Sequence, residues 1–194
     1  MDAWFPMTNG KLYYYENTSL DSVTPNVIPN GGVDGGTTGW GFYPGDGGIS
    51  VIVSGDTLLA EAGGDTVLFA ASVGDSALAI PELANSGGEN NAYFEYTGDN
   101  AIAPGTQFIA SAHVHPGLAA TTGSAVLFAK YFGAGYSWIG MNSQSVDVSA
   151  LSMGWNPMEI FANVPAGAVI VQVGVMYVSA VSYTHLTLPT ILLV

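Results

Sequence analysis

The sequence predicts an all-β protein, a two-sheet antiparallel β-sandwich of jelly-roll type, and three observations carry that expectation. Short runs alternate apolar and polar residues, as strands with one buried face do. Glycine- and proline-rich turns separate those runs, and no run repeats its apolar residues at helical spacing. Of 194 residues, 26 are Gly and 48% are hydrophobic, which suits many turns around one sizeable core.

In chain order the runs are residues 11–19, 48–54, 66–71, 92–96, 106–115, 125–132, 138–141, 158–164 and 168–178. Between them stand Pro44-Gly45-Asp46-Gly47-Gly48, Ser86-Gly87-Gly88, Pro104-Gly105, Pro116-Gly117 and Pro165-Ala166-Gly167. These supply the fixed or positive φ angles that turns require. Within 106–115, Phe108, Ala110, Ala112 and Val114 share one side, expected to be core. Gln107, Ile109, Ser111, His113 and His115 share the other. Within 168–178, Val169, Val171, Val173, Val175 and Tyr177 form an apolar stripe opposite a mixed face of Ile170, Gln172, Gly174 and Met176. Trp40 is expected in the core with Phe108.

Charge narrows the partners. Lys11 and Lys130 are the only cations against 15 acids, a formal charge of −13. Nucleic acid is excluded as a partner class, because binding it takes Lys and Arg to displace phosphate counterions. The same charge disfavours anionic membrane surfaces. No apolar run reaches the ~20 residues of a spanning helix, so no membrane insertion is expected. The opening Met1-Asp2-Ala3-Trp4 lacks the basic region and apolar stretch of a signal peptide. Without cysteine there is neither a disulfide nor a thiolate metal site.

Several signals follow one another in a suggestive order. Asn30-Gly31-Gly32-Val33-Asp34 and Trp40 come first, then Pro104-Gly105-Thr106-Gln107-Phe108 with Ala110-Ser111-Ala112. The run 125–132, Trp155 and Val164-Pro165-Ala166-Gly167-Ala168 with its valine-rich strand complete the series. Together they resemble the galactose-binding-like jelly rolls that serve as carbohydrate-binding modules in secreted bacterial proteins, over residues 26–180. Tyr14-Tyr15-Glu16-Asn17-Thr18-Ser19-Leu20 resembles that family's last strand, yet it precedes the domain. The resemblance therefore implies a fragment of a tandem array. Residues 1–23 would close a preceding module, 24–29 would be a linker, and 30–180 would be a jelly roll lacking its own last strand. The alternative is an ordinary N-terminal strand of a single domain. Residues 182–190 resemble the peptide made when sequencing-adapter DNA is translated at the end of a metagenomic reading frame, so 181–194 is expected to be a non-native tail.

The resemblance also implies one structural calcium, held by the opening motif and a final-strand Asp. Asn30 and Asp34 fall on that motif, while the closing Asp is missing from this copy. Ca²⁺ takes six to eight oxygens; Glu16 and Asn17 would supply some if the N-terminal strand folds back beside the last one. His113 and His115 point the same way on a strand, as the metal-gripping pair of cupins does, but no Glu follows before Lys130. A metal there needs ligands from elsewhere. Two exposed histidines on the solvent face of the strand, lining a groove, are the alternative.

Sugar rings stack on flat side chains beside amide and carboxylate hydrogen bonders. Tyr131, Tyr136, Trp138 and Trp155 are the candidate stacking residues, with Asn142, Gln144 and Gln172 for hydroxyl groups and His113 and His115 beside them. Any of these aromatics could instead be core. No Gly-x-Ser-x-Gly elbow occurs, and nothing singles out Glu89 and Glu95 as a catalytic pair. The sequence thus predicts no enzyme. It predicts a non-catalytic glycan-binding module of a secreted or cell-surface bacterial protein, partnered by a polysaccharide and by neighbouring domains of the same polypeptide. The alternative is a structural or adhesive spacer that binds no sugar.

Overall fold

The computed structural model describes residues 28, 30–31, 33, 35–43, 49, 76–80, 89–116, 123–152 and 154–178 in full, and 3–6, 12–15, 50–53, 57–59, 66–68 and 184–193 as backbone alone. Asp34, Glu16, Asn17, Gly117 and the turns at 44–48 and 86–88 lie outside the described residues, as does the linker 24–29 apart from Ile28.

The strands are β1 (Ala3–Pro6), β2 (Leu12–Tyr15), β3 (Trp40–Tyr43), β4 (Ser50–Val53), β5 (Thr57–Leu59), β6 (Thr66–Leu68), β7 (Ser76–Ile80), β8 (Glu89–Tyr96), β9 (Gln107–His115), β10 (Ser124–Phe132), β11 (Trp138–Asp147), β12 (Asn156–Asn163), β13 (Ile170–Val178) and β14 (Thr184–Leu193). Two five-stranded antiparallel sheets form the sandwich, β11-β10-β13-β8-β3 and β12-β9-β14-β7-β4. From β7 to β14 each strand crosses to the other sheet from its predecessor, except β11, which pairs beside β10. Four strands per sheet in that order make a jelly roll, with β3 and β4 added at one edge of each.

Alternation sends one side of every strand inward. From the first sheet Ala125, Leu127, Ala129 and Tyr131 of β10 meet Val171, Val173, Val175 and Tyr177 of β13 in the core. From the second come Phe108, Ala110, Ala112 and Val114 of β9, Met158, Ile160 and Ala162 of β12, and Leu78 and Ile80 of β7. Trp40 and Phe108 are both buried, as expected. Val169 departs from its stripe: it precedes β13 and is exposed.

Among the strands that differ from expectation, three have a local reason. β11 extends from Trp138 to Asp147, well past residue 141, because an edge strand needs no apolar alternation. Its second half, Asn142-Ser143-Gln144-Ser145, is polar. β7 reads Ser-Ala-Leu-Ala-Ile, without the β-branched signature, and lies between β14 and β4 with Ser76, Ala77, Leu78 and Ile80 all buried. β3 contains Gly41 and gives no alternating signal.

The fold-back expectation is not met. β2 pairs with β1 and, among the described residues, with no strand of either main sheet. Instead β14, from the stretch the sequence reading sets aside, lies between β9 and β7. It pairs with β9 on both sides of a register shift between Thr187 and Thr190. That shift brackets Leu188-Pro189, and proline has no N–H to give the ladder.

Gly174 marks the tightest approach within the first sheet. A Cβ there would stand 2.0 Å from the Ala92 carbonyl oxygen and 2.6 Å from the Tyr93 Cα, both on the backbone of β8. Gly174→Ala is therefore expected to destabilise the fold by about 3 kcal/mol, the upper range for overpacking. Gly140→Ala, where a Cβ meets nothing within 4 Å, should stay within about 0.5 kcal/mol of the parent. Urea unfolding of the two variants checks the contrast; equal stabilities would refute it.

Candidate functional site: the outer face of the first sheet

The register of the first sheet aligns its outward residues in rows. One row runs Gly41, Tyr93, Gly174, Phe128, Ser143, and the next runs Glu95, Gln172, Lys130, Met141. At the end of the face stand Ile170, Phe132 and Trp138. The middle of the face has an apolar floor: Val126, Phe128 and Met176 are buried, with Tyr93 and Val178 packed against them. Tyr93 stands between two glycines, and a Cβ at Gly41 would meet its ring at 2.6 Å.

Polar groups are arranged on that floor. Gln172 Nε2 donates to Glu95 Oε2 at 2.8 Å, and Tyr136 Oη donates to Glu95 Oε1 at 2.8 Å. Lys130 Nζ lies 4.7 Å over the Phe128 ring and pairs with Glu89 Oε2 at 2.8 Å. Asn91 Nδ2 donates to the same oxygen at 3.2 Å. Burial opposes ionisation of Glu89, but the hydrogen bonds from Lys130 and Asn91 and the lysine's charge outweigh it, holding the carboxyl below its usual range. In register Lys130 lies level with Glu95, six residues along β8 from Glu89. On a flat sheet that offset is about 20 Å along the strand, beyond the reach of the two side chains. The sheet must curl around this face for the pair to form. Asn91 Oδ1, also buried, has no hydrogen-bond partner among the described residues.

The rim carries the exposed aromatics. Trp138 is 58% and Tyr136 56% exposed, and each packs against Phe132, at ring distances of 5.5 and 5.8 Å. Their placement comes from the turn joining β10 to β11. Gly133 N donates to the Ser137 carbonyl at 2.8 Å. Gly135 and Tyr136 take positive φ angles of 67° and 60°. A non-glycine residue in that region is strained. Hydrogen bonding to Glu95, first, then burial and the charges of Glu95 and Tyr93, push the Tyr136 phenol above its ordinary range.

The predicted ligand residues divide among four places. Tyr136, Trp138 and Gln172 lie on this face. Tyr131 is a correction: it is buried in the core, its phenol pushed up to about 12 by burial, and its Oη donates to Asn142 Oδ1 at 2.7 Å. Asn142 and Gln144 sit in register with the core residues Ala129 and Leu127 on the edge strand. Gln144 Oε1 accepts from the Glu159 backbone N–H at 2.7 Å, so it ties the edges of the two sheets together. Trp155 packs edge-on against His115 at 5.4 Å, beside His113 on the outer face of the second sheet, across the sandwich. Burial holds the His115 imidazole below its ordinary range. Sequence reasoning missed Glu95, Tyr93, Phe132 and Lys130 as parts of the face; the register of β8 and of β10 against β13 reveals them.

Asn30 organises a turn. Its Nδ2 donates to the carbonyls of Gly36 (2.7 Å) and Thr38 (3.3 Å), and its Oδ1 accepts from Gly35 N. Its own carbonyl accepts from Trp40 Nε1 at 3.0 Å, which fixes the indole in the core. The Asn30 amide is engaged within the turn, and Asp34, the other residue of the expected calcium pair, lies outside the described residues.

No family model and no curated protein matches the chain. Solved structures do. The family 61 carbohydrate-binding module TmCBM61, in complex with β-1,4-galactotriose, matches at TM-score 0.55 and 13% identity, over 88% of this chain and all of that one. The C-terminal family 22 carbohydrate-binding module of Clostridium thermocellum Xyn10B matches at TM-score 0.54 and 14% identity, over 82% of this chain and 88% of that one. The enzymatically active domain of bacteriophage CBA120 tailspike protein 4 matches at TM-score 0.56 and 14% identity, where this chain spans 22% of the partner's length. The fold is the β-sandwich of carbohydrate-binding modules.

Proposed function

We propose that the chain is a non-catalytic glycan-binding module and that the curled outer face of the first sheet holds the sugar. The observation that carries this is the pairing of two exposed aromatics, Tyr136 and Trp138, with the Glu95–Gln172 pair below them. Flat rings at a rim offer stacking to the C–H face of a pyranose, and an amide bonded to a carboxylate offers acceptors and donors to its hydroxyls. Sugars named for structural neighbours, such as β-1,4-galactotriose, support the ligand class. The face is shallow and its affinity modest, so a tandem array in a secreted or cell-surface protein would raise it by avidity.

The Tyr136–Glu95 bond positions the rim ring. It favours the protonated phenol, so its contribution is complete below the ordinary tyrosine value and is lost only as pH rises through the raised folded one. Binding should therefore be flat from neutral pH to about 10 and fall above it. Glu95→Gln should bring the Tyr136 transition, followed by NMR of the labelled ring, back to lower pH; an unmoved transition would sink the positioning role. Calorimetry with β-1,4-galactan and xylan checks the binding itself. Trp138→Ala and Tyr136→Ala should each lower affinity about tenfold, the equivalent of ~1.4 kcal/mol. Failure of the parent chain to bind any polysaccharide on a broad glycan array would leave the spacer reading.

A further inference from the structure

Among the described residues, Glu95 is a carboxylate held by neutral donors alone. Its Oε2 accepts from the Gln172 amide and its Oε1 from the Tyr136 phenol, both at 2.8 Å. Lys130, the one lysine or arginine among the described residues, shares its row on the face but is taken by Glu89 at 2.8 Å. The charge on Glu95 is thus hydrogen-bonded without being neutralised. Beside it stand three rings set at steep angles. Tyr136 is inclined 58° and Trp138 72° to Phe132, and both outer rings are exposed. Inclined rings turn π faces in more than one direction, and each face carries the negative side of the ring quadrupole. Because the Tyr136 phenol is bonded to Glu95, a cation against the Tyr136 face is also within reach of that carboxylate.

We propose that this end of the face selects a glycan whose sugars carry a free amine, a polymer of the glucosamine type, over neutral polysaccharides with the same backbone. The inference rests on the glycan-binding reading above and names its ligand class. A neutral pyranose gains stacking and hydroxyl hydrogen bonds here but leaves the Glu95 charge unanswered. An ammonium group answers it twice. A carboxylate has about four lone-pair sites, and Gln172 and Tyr136 leave some of them open to an ammonium donor. The same cation is attracted to the faces of Tyr136 and Trp138. The whole chain acts in the same direction, since a formal charge of −13 draws cationic polymers to its surface and repels uronic or sulfated ones. That long-range attraction favours no particular place on the surface, whereas the corner at Glu95 does.

Three hexasaccharides on one β-1,4-glucan backbone separate the two effects, because they differ only at C2. Cellohexaose has a hydroxyl there, the N-acetylglucosamine hexamer an acetamide and the glucosamine hexamer an ammonium. Calorimetry of the full chain, at physiological ionic strength and below the amine pKa, should show the glucosamine hexamer binding about tenfold more tightly than either other. That is the order expected of one exposed ion pair together with one cation–π contact. Glu95→Gln should remove most of the preference. Glu159→Gln, an equal change of charge at an exposed position on the other sheet, should keep it. Circular dichroism establishes that each variant is folded. Should Glu95→Gln not fold, NMR of the parent reads the same place: the Trp138 indole N–H and the Tyr136 ring signals should shift as the glucosamine hexamer saturates, and signals that stay in place overturn the proposal. Equal affinity for the three hexamers overturns it and leaves glycan binding standing. A preference that persists in folded Glu95→Gln, or that Glu159→Gln removes equally, belongs to net charge and overturns it as well. Absence of binding by the glucosamine hexamer also overturns it, and the glycan reading falls with it only if galactan and xylan fail too.

Discussion

The sandwich depends on the place between β9 and β7 being filled. Without β14 the second sheet would fall into two pairs, β12-β9 and β7-β4, each with an open edge of unpaired N–H and C=O groups. Phe108, Val114, Leu78 and Ile80 would lose the strand that joins their rows in one layer. The occupant is imperfect: its ladder slips at Leu188-Pro189 and it meets β7 at only three positions, Thr184, His185 and Leu186. A central strand tolerates that because backbone pairing asks little of sequence. Completion of the sheet and recognition by sequence are separate demands, and β14 meets the first.

In the other sheet two glycines set the packing around one ring. Glycines at positions 41 and 174 flank Tyr93, and Gly174 lets β13 press against the backbone of β8 where any side chain would collide. Lys130 Nζ stands over the Phe128 ring and pairs with Glu89, which Asn91 also bonds, while Tyr136 and Trp138 stay exposed against Phe132 at the end of the face. One of the chain's two cations is spent inside this face, largely covered and paired. Burying a lysine needs such a partner.

Much of this was legible in the sequence, and what was not fails for identifiable reasons. β9 and β12 follow from alternation because each has one face in the core and one outside. β10 and β13 are buried on most of both faces and are legible instead from their apolar, β-branched or aromatic runs beside turn residues. β7 is as deeply buried but has neither alternation nor a β-branched run to mark it. The rim aromatics Tyr136 and Trp138 were legible because they flank a glycine-containing turn. Tyr131 was not, as its place on β10 follows from the phase of the strand: it falls in step with Ala125, Leu127 and Ala129, all inward. Glu95 and Tyr93 became part of the site only through pairing with Gln172 and Gly174, partners 77 and 81 positions away in sequence. Such long-range register is set by the whole topology, and no local pattern encodes it.

Tyr136 shows how the parts of the candidate site depend on one another. Its left-handed backbone is unfavourable by roughly 1–3 kcal/mol for a non-glycine residue, so the turn must be held by something outside itself. Two contacts do so: the phenol on Glu95 and the ring against Phe132. Glu95 is in turn oriented by Gln172, which is buried in the middle of the face. The ring therefore reports on the carboxylate, and the carboxylate on the amide. Substitutions along Gln172, Glu95 and Tyr136 belong to one network, and their effects on the rim should not add. Trp138, held against Phe132 from the β11 side, lies outside that chain of hydrogen bonds and shares only the phenylalanine with it. The face thus presents one aromatic held by a hydrogen bond as well as by packing and one held against the same phenylalanine from the other side, so that alkali or loss of Glu95 loosens the first ring and leaves the second in place.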